Sequence, residues 1–409
     1  MPSEWISVFV AGSRSYVGGR DIYAEPFGYL YPPFMALLFT PVVPLQQLAA
    51  RLIYVAISIA CIVGLARSAW IVSGGQTLPP ISRPITTEWK IALTGALCAA
   101  PYILNALAHM QVDIMIDCLV AVGCLLLIRG QGIAGAVLIG IAAAFKGPPL
   151  LFAAYLIFRR QWLSAGAVLA VAIGLNLLPD LFVTAPDGRI RLLVWLSNDA
   201  LPVLGGKLGS WNGVTVYNQS IAGTFQRLLT TTLQPASAEG LQNNNPWHLS
   251  ETLVKAVAYG AMVLLPLASM IAAVRGQAPS RQNGQSDLPS QTALEFAAVT
   301  ILTLLMSPMC DLAHLGILVL PLFCLARLAF VDHDRVAGAT LILAAACAFL
   351  RKDLITDGPY TAVLWGGAAT WCMVALWAGC IWALARGRAA PPALDFTASI
   401  LTRHRAAAA

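Results

Sequence analysis

The sequence predicts an all-α polytopic membrane protein, and three features carry that prediction. Of its 409 residues, 58% are hydrophobic and only 11% are charged, whereas a soluble domain carries about 25% charged residues. Mean hydropathy is +0.74. The apolar residues gather into runs long enough to cross a hydrocarbon core of about 30 Å, and most runs end at arginine or lysine. Those helix-end arginines account for most of the net charge of +6. No basic run interleaves with aromatics, so no nucleic-acid partner is expected.

Residues 1–46 mix polar and aromatic side chains and close on the proline-punctuated YPPFMALLFTPVVP, which predicts a loop or amphipathic segment. They lack the basic start and apolar middle of a signal peptide. The membrane bundle is expected over 47–386, with first spans at 48–66, 91–107 and 112–128. The next apolar run lies between Arg129 and Arg159. As one helix it would extend roughly 44 Å, too far for a core of about 30 Å, and Pro148 and Pro149 would break it. It therefore predicts a short hairpin at 132–158 with Lys146 at its tip. A span at 162–183 follows, then a polar stretch at 184–250 too long to be a turn. Further spans are expected at 253–274, 293–306, 312–330, 336–350 and 361–384, and 387–409 is expected as a tail.

Orientation follows from where Lys and Arg fall in short loops. With 1–46 outside, the basic loops near Arg67, Arg129, Arg159, Arg275 and Arg386 all lie in the cytoplasm. The Arg351–Lys352 pair runs against the trend, accompanied by Asp353 and Asp357. This gives a bundle of about 10–11 membrane helices counting both hairpin arms, with a cytoplasmic 387–409. A chain that starts outside without a leading apolar segment is expected to lack an upstream helix. Nine cysteines, nearly all inside apolar runs and with no CxxC or Cys/His ligand spacing, predict neither a disulfide framework nor a metal site.

This topology collects polar groups on the outer face. They include Glu4, Asp21 and Tyr31 from the opening segment, Asn105, Gln111 and Asp113 from the turn between the second and third spans, and Lys146 from the hairpin tip. The 184–250 loop adds Lys207, Trp211, Asn218, Gln219 and Arg227, and a late turn adds Asp311 and His314. Carboxylates that take a proton, cations that offset anionic charge, and amides and aromatic faces together suit an anionic, hydroxyl-rich ligand. Each group also has a plainer reading. Lys146 could snorkel, Asp113 and Asp117 could bond neighbours along one helix face, His314 could be a satisfied core histidine, and the tyrosines could be interface anchors.

The order of several short motifs resembles glycosyltransferase family 87, polyprenyl-phosphate-mannose-dependent mannosyltransferases of the C-type superfamily. The matching pieces are VGGRDIY over 17–23, YPPF over 31–34 with Pro41, Asn105 through Gln111 and Asp113, and AFKGPP over 144–149 with RRQW over 159–162. Asn218 through Ser220 with Arg227, and Ser307–Pro308 with His314, complete the series. The resemblance implies a C-type glycosyltransferase-like bundle that moves a hexose, mannose first, from a polyprenyl-phosphate donor to a hydroxyl on a glycan or glycolipid, with inversion. It places the enzyme in the plasma (inner) membrane among its lipids, with the active site on the non-cytoplasmic face. Glu4, standing where the family usually shows aspartate, or Asp21 would be the base. Lys146, Arg227 and His314 would hold the donor phosphate. Tyr31, Asn105, Gln111, Asp113, Asn218 and Gln219 would bind substrate. The lipid-linked sugar is a co-substrate, and no resident cofactor is expected. Where the family often has two adjacent histidines, Ala313 precedes His314. The rival class is a transporter or flippase for a lipid-linked or anionic solute, which would place its polar groups near mid-membrane on broken helices.

Overall fold

The computed structural model describes residues 4–24, 29–76, 85–204, 215–230, 247–276, 289–350 and 354–387. The basic residues Arg83, Arg281, Arg351 and Lys352, the loop residues Lys207 and Trp211, and nearly all of the expected tail lie outside these ranges. Among the described residues the chain is helical, apart from one bridge between Thr230 and Leu249.

The opening segment, expected as a loop or amphipathic stretch, carries short helices as well as turns among its described residues. A turn of π-helix, Trp5–Val10, runs into α1 (Ala11–Val17), and α2 (Pro33–Leu38) follows. Aromatic packing explains the difference. Trp5 lies edge-on to Phe39 at 4.5 Å and to Tyr54 at 4.9 Å between ring centroids, and Phe9 stacks on Phe39 at 5.2 Å. These rings bury large apolar areas, and they fasten the segment to α3 (Gln47–Val72). Tyr16 adds a hydrogen bond from its hydroxyl to the Pro179 carbonyl at 2.7 Å.

The bundle continues with α4 (Thr87–His109), α5 (Asp113–Ile128), α6 (Gly132–Phe145), α7 (Leu151–Phe158) and α8 (Trp162–Phe182). The hairpin falls where the two prolines predict it, as α6 and α7 joined by a 3₁₀ turn at Pro148–Leu150. Short α9 (Arg191–Trp195), α10 (Leu201–Leu204) and α11 (Ile221–Leu229) belong to the polar stretch. Then come α12 (Glu251–Arg275), α13 (Gln291–Leu305), a 3₁₀ segment Leu312–Leu318 that runs into α14 (Val319–Val331), and α15 (Arg335–Phe349). The span expected at 361–384 is divided into α16 (Asp357–Trp365) and α17 (Ala368–Ala385). The break is at Gly367, whose φ of +77° suits glycine, and where a Cβ would come 2.4 Å from Thr224.

Among the described residues six helices are long and apolar enough to cross a membrane: α3, α4, α8, α12, the Leu312–Val331 unit and α17. Shorter apolar helices, including α6, α13 and α15, fill the space between them. α6 packs against both α5 and α8, and α14 against α4. Small residues allow the closest approach, since a Cβ on Gly135 would lie 2.6 Å from the Gly123 carbonyl oxygen.

Buried ion pairs tie one end of the bundle. Arg327, 1% exposed, bonds both carboxylate oxygens of Glu88 at 3.0 Å. Arg159 of the hairpin pairs with Glu295 on α13, which also accepts from Tyr155 at 2.7 Å and Gln291 at 2.8 Å. At the opposite end α4, α6 and α13 finish while α5 and the Leu312–Leu318 turn begin, and these termini enclose the polar groups described next.

Candidate active site

Helix ends supply this site because they are where a helical bundle leaves polar backbone and side chains unspent. α4 stops at Met110, held at φ +53°, and the chain turns through Gln111 directly into α5, whose first residue is Asp113. Lys146 caps the end of α6 in an extended conformation, because the following Gly-Pro-Pro cannot continue the helix. Asp311 caps the 3₁₀ turn, accepting from the Ala313 N–H at 2.8 Å, while its own N–H donates to His314 Nδ1 at 3.1 Å.

Two linked clusters result. In the first, Lys146 Nζ donates to Asp113 Oδ1 at 2.9 Å and lies 2.7 Å from His314 Nε2. Asp113 and His314 are nearly buried, whereas Lys146 retains 21% side-chain exposure. In the second, Glu4 accepts from Gln111 Nε2 at 2.9 Å and from the Tyr31 hydroxyl at 3.2 Å. Gln111 joins the clusters, since its Nε2 is also 3.5 Å from Asp311 Oδ2. The Tyr31 ring lies 5.9 Å from Lys146 Nζ, within cation–π range.

The electrostatics follow from these neighbours. Burial raises the Asp311 carboxyl, but His314, Lys146, the Ala313 N–H and Gln111 outweigh it and hold the group below the usual carboxylate range. Burial first, and then the charges of Glu4, Asp113 and Asp311, keep the Tyr31 phenol well above its ordinary value, so at neutral pH it is a hydrogen donor. Because His314 Nδ1 accepts from a backbone N–H, the neutral ring carries its hydrogen on Nε2. That hydrogen faces Lys146. Two donors at 2.7 Å are eased by an anionic oxygen that accepts from both.

A pocket partly open to solvent runs from this cluster between α5, the hairpin and α13. Its polar lining includes Asp113, Asp117, Lys146, Thr303, Ser307 and His314, and its apolar lining includes Ile116, Val120, Phe152, Leu304 and Ile317. Three buried oxygens here, Gln111 Oε1, Asp113 Oδ2 and Asp117 Oδ2, have no hydrogen-bond donor among the described residues. An excess of acceptors calls for a ligand rich in hydroxyls. Among the described residues no group of three or more His, Cys, Asp and Glu side chains could hold a metal ion.

The remaining residues singled out from the sequence lie elsewhere. Asp21 accepts from the Tyr23 N–H at 2.9 Å, closing a local turn. Asn105, half-buried on α4, enters none of these hydrogen bonds. Arg227, 2% exposed, spends its guanidinium on the carbonyls of Thr215, Asn218, Leu364 and Trp365. Asn218 and Gln219 are both fully buried. Asn218 donates to the Pro308 carbonyl at 3.0 Å and accepts from the Cys310 N–H at 3.1 Å, while Gln219 bonds the Leu364 carbonyl at 2.8 Å. Asn218 therefore shapes the turn that leads to Asp311 and His314, Arg227 and Gln219 brace the segment around it, and the structure does not bring these three side chains into the Lys146 cluster. Sequence reasoning placed Asp311 on the outer face but assigned it no role. The available signal was an acid three residues before a histidine at a helix start, the spacing of a capping box, which is present here.

A curated polyprenol-phosphate-mannose-dependent alpha-(1-2)-phosphatidylinositol mannoside mannosyltransferase of Mycobacterium tuberculosis (strain ATCC 25618 / H37Rv) is 30% identical over 183 residues, covering 40% of this chain and 42% of the relative. The similarity thus spans about two fifths of the relative's length. The family model of glycosyltransferase family 87 matches residues 29–308, a stretch that holds Tyr31, Gln111, Asp113 and Lys146 and stops short of Glu4 and His314. A match over more than half of the sequence, with a lysine-tipped hairpin inside it, means that this chain belongs to glycosyltransferase family 87.

Proposed function

We propose that the protein transfers a hexose, mannose first, from a polyprenyl-phosphate donor to a hydroxyl of a glycan or glycolipid, with inversion, at the non-cytoplasmic face of the plasma membrane. The observation that carries this reading is the convergence of Lys146 and His314 as two donors beside the Glu4 carboxylate. The relative's name, which specifies a polyprenol-phosphate-mannose donor and a phosphatidylinositol mannoside acceptor, supports the substrate classes.

In the proposed reaction an acceptor hydroxyl attacks the anomeric carbon from the face opposite the phosphate. Its proton passes to Glu4, and the carbon–oxygen bond to phosphate breaks with its electron pair leaving on the lipid phosphate. Lys146 and His314 stabilise that charge, a type of contribution worth about 3–4 kcal/mol per donor in buried sites. Tyr31 and Gln111 orient the base, each donating to one Glu4 oxygen. Glu4 is preferred over Asp21 because Asp21 is engaged in its own turn.

The test is transfer by the purified protein in lipid vesicles from radiolabelled polyprenyl-phosphate mannose to a mannoside glycolipid. General-base loss costs about 10²–10⁴ in rate, so Glu4→Gln should fall at least a hundredfold with an unchanged melting temperature. Movement of labelled lipid across the vesicle without sugar transfer would instead favour a flippase.

A further inference from the structure

Asp117 is a buried carboxylate that the proposed mechanism leaves unused. It lies one turn beyond Asp113 on the same face of α5, is 5% exposed, and lines the pocket that Lys146 and His314 head. Its Oδ2 has no donor among the described residues. The two nearby hydroxyls are spent elsewhere, Thr303 donating to the Thr300 carbonyl at 2.7 Å and Ser307 to the Met309 carbonyl at 2.6 Å. Across from it stands Gly316, where a Cβ would come 2.5 Å from Oδ2. The glycine thus makes room for the carboxylate but offers it no hydrogen bond. A buried carboxyl oxygen without a hydrogen-bond partner inside a membrane bundle is expensive.

We infer that Asp117 accepts a hydroxyl of the donor sugar and is a specificity-determining residue of this site. The inference rests on the polyprenyl-phosphate-sugar reading above. Phosphate oxygens are acceptors and are matched by Lys146 and His314. A carboxylate acceptor along the same pocket is matched by a polyol esterified to that phosphate. Asp113 Oδ2, likewise without a donor, extends the same acceptor row. A site built to bond a hydroxyl discriminates strongly against a ligand lacking it, because its own buried group is then left unpaired.

The experiment compares binding of polyprenyl phosphate and polyprenyl-phosphate mannose to the full chain in nanodiscs. Asp117→Leu replaces an unpaired buried polar group with an apolar one of similar shape, so it should melt at or above the wild type. It should bind the sugar-bearing lipid about tenfold more weakly, the loss expected for one buried hydrogen bond, and bind the sugar-free lipid within about twofold of wild type. Asp117→Asn, which keeps an acceptor oxygen, should recover most of the difference. Equal weakening for both lipids, no weakening for either, or a lower melting temperature in Asp117→Leu would overturn the assignment while leaving the donor reading intact. A wild-type protein that binds neither lipid would overturn both.

Discussion

If Lys146 stabilises the leaving phosphate, its removal must cost more than the loss of a counterion for Asp113. Lys146 Nζ contacts Asp113 Oδ1 at 2.9 Å and His314 Nε2 at 2.7 Å, with 21% of the side chain exposed. Removing one partner of a fully buried pair costs about 3–5 kcal/mol. Solvent reaching Lys146 reduces that to about 2 kcal/mol of stability in Lys146→Met. Neutralising Asp113 as well should restore most of it, because neither partner then remains alone. Transfer should behave differently. Loss of one charge-stabilising donor costs about 10²–10³ in kcat, and Asp113→Asn does not remove that requirement. The assay is sugar transfer in vesicles, read with melting temperature for Asp113→Asn, Lys146→Met and the double variant. The double variant should be at least a hundredfold slower than Asp113→Asn alone. Equal rates for those two would refute a role for Lys146 on the substrate and leave it a counterion.

Three further outcomes follow from the geometry. Asn218→Ala strips the Pro308 carbonyl and the Cys310 N–H of their partner, so it should destabilise the protein by about 1–3 kcal/mol, read as a lower melting temperature in detergent. Because Asp311 is held below the usual carboxylate range, its stabilising effect is fully present above the unfolded value of about 4 and fades as pH falls through the lower folded value. The melting-temperature gap between wild type and Asp311→Asn should therefore stay constant from pH 7 to about 5 and close at lower pH. Glu295→Ala leaves the Arg159 guanidinium and the Tyr155 hydroxyl without their shared acceptor, and a loss of about 3 kcal/mol is expected, with the melting temperature falling in step.

The membrane class, the hairpin and the identity of its tip were legible in the sequence because each depends on a local property: apolar run length, a proline pair, and one cation among aliphatic residues. What escaped depends on partners far along the chain. Residues 4–17 carry too little apolar periodicity to announce a helix, which exists because Trp5 and Phe9 find Phe39 and Tyr54. Gln111 reads as a turn residue until it meets Glu4, 107 positions away. Arg227 and Asn218 look like ligand-binding groups on a polar stretch. Burial turns Asn218 into a clamp on the 308–310 turn and Arg227 into a brace on Asn218's own carbonyl, because a buried guanidinium or amide must satisfy its donors and the nearest acceptors are carbonyls.

Helix length connects this architecture to the class of donor. α6 has 14 residues, α7 has 8 and α13 has 15, which correspond to rises of about 21, 12 and 22 Å. α4, with 23 residues, rises about 35 Å, enough for a core of about 30 Å. The short helices share a base, since Arg159 at the end of α7 is locked to Glu295 near the start of α13. The end of α4 meets the same cluster, since Gln111 just beyond it bonds Glu4 and lies 3.5 Å from Asp311. A cation at the end of so short a helix is costly unless an anion is delivered to it, and the apolar wall of Ile116, Val120 and Phe152 beside it would suit the chain of the lipid-linked donor proposed above. Lengthening α6 by one turn should raise the lysine by about 5 Å, break its contacts with Asp113 and His314, and abolish transfer while the bundle still assembles.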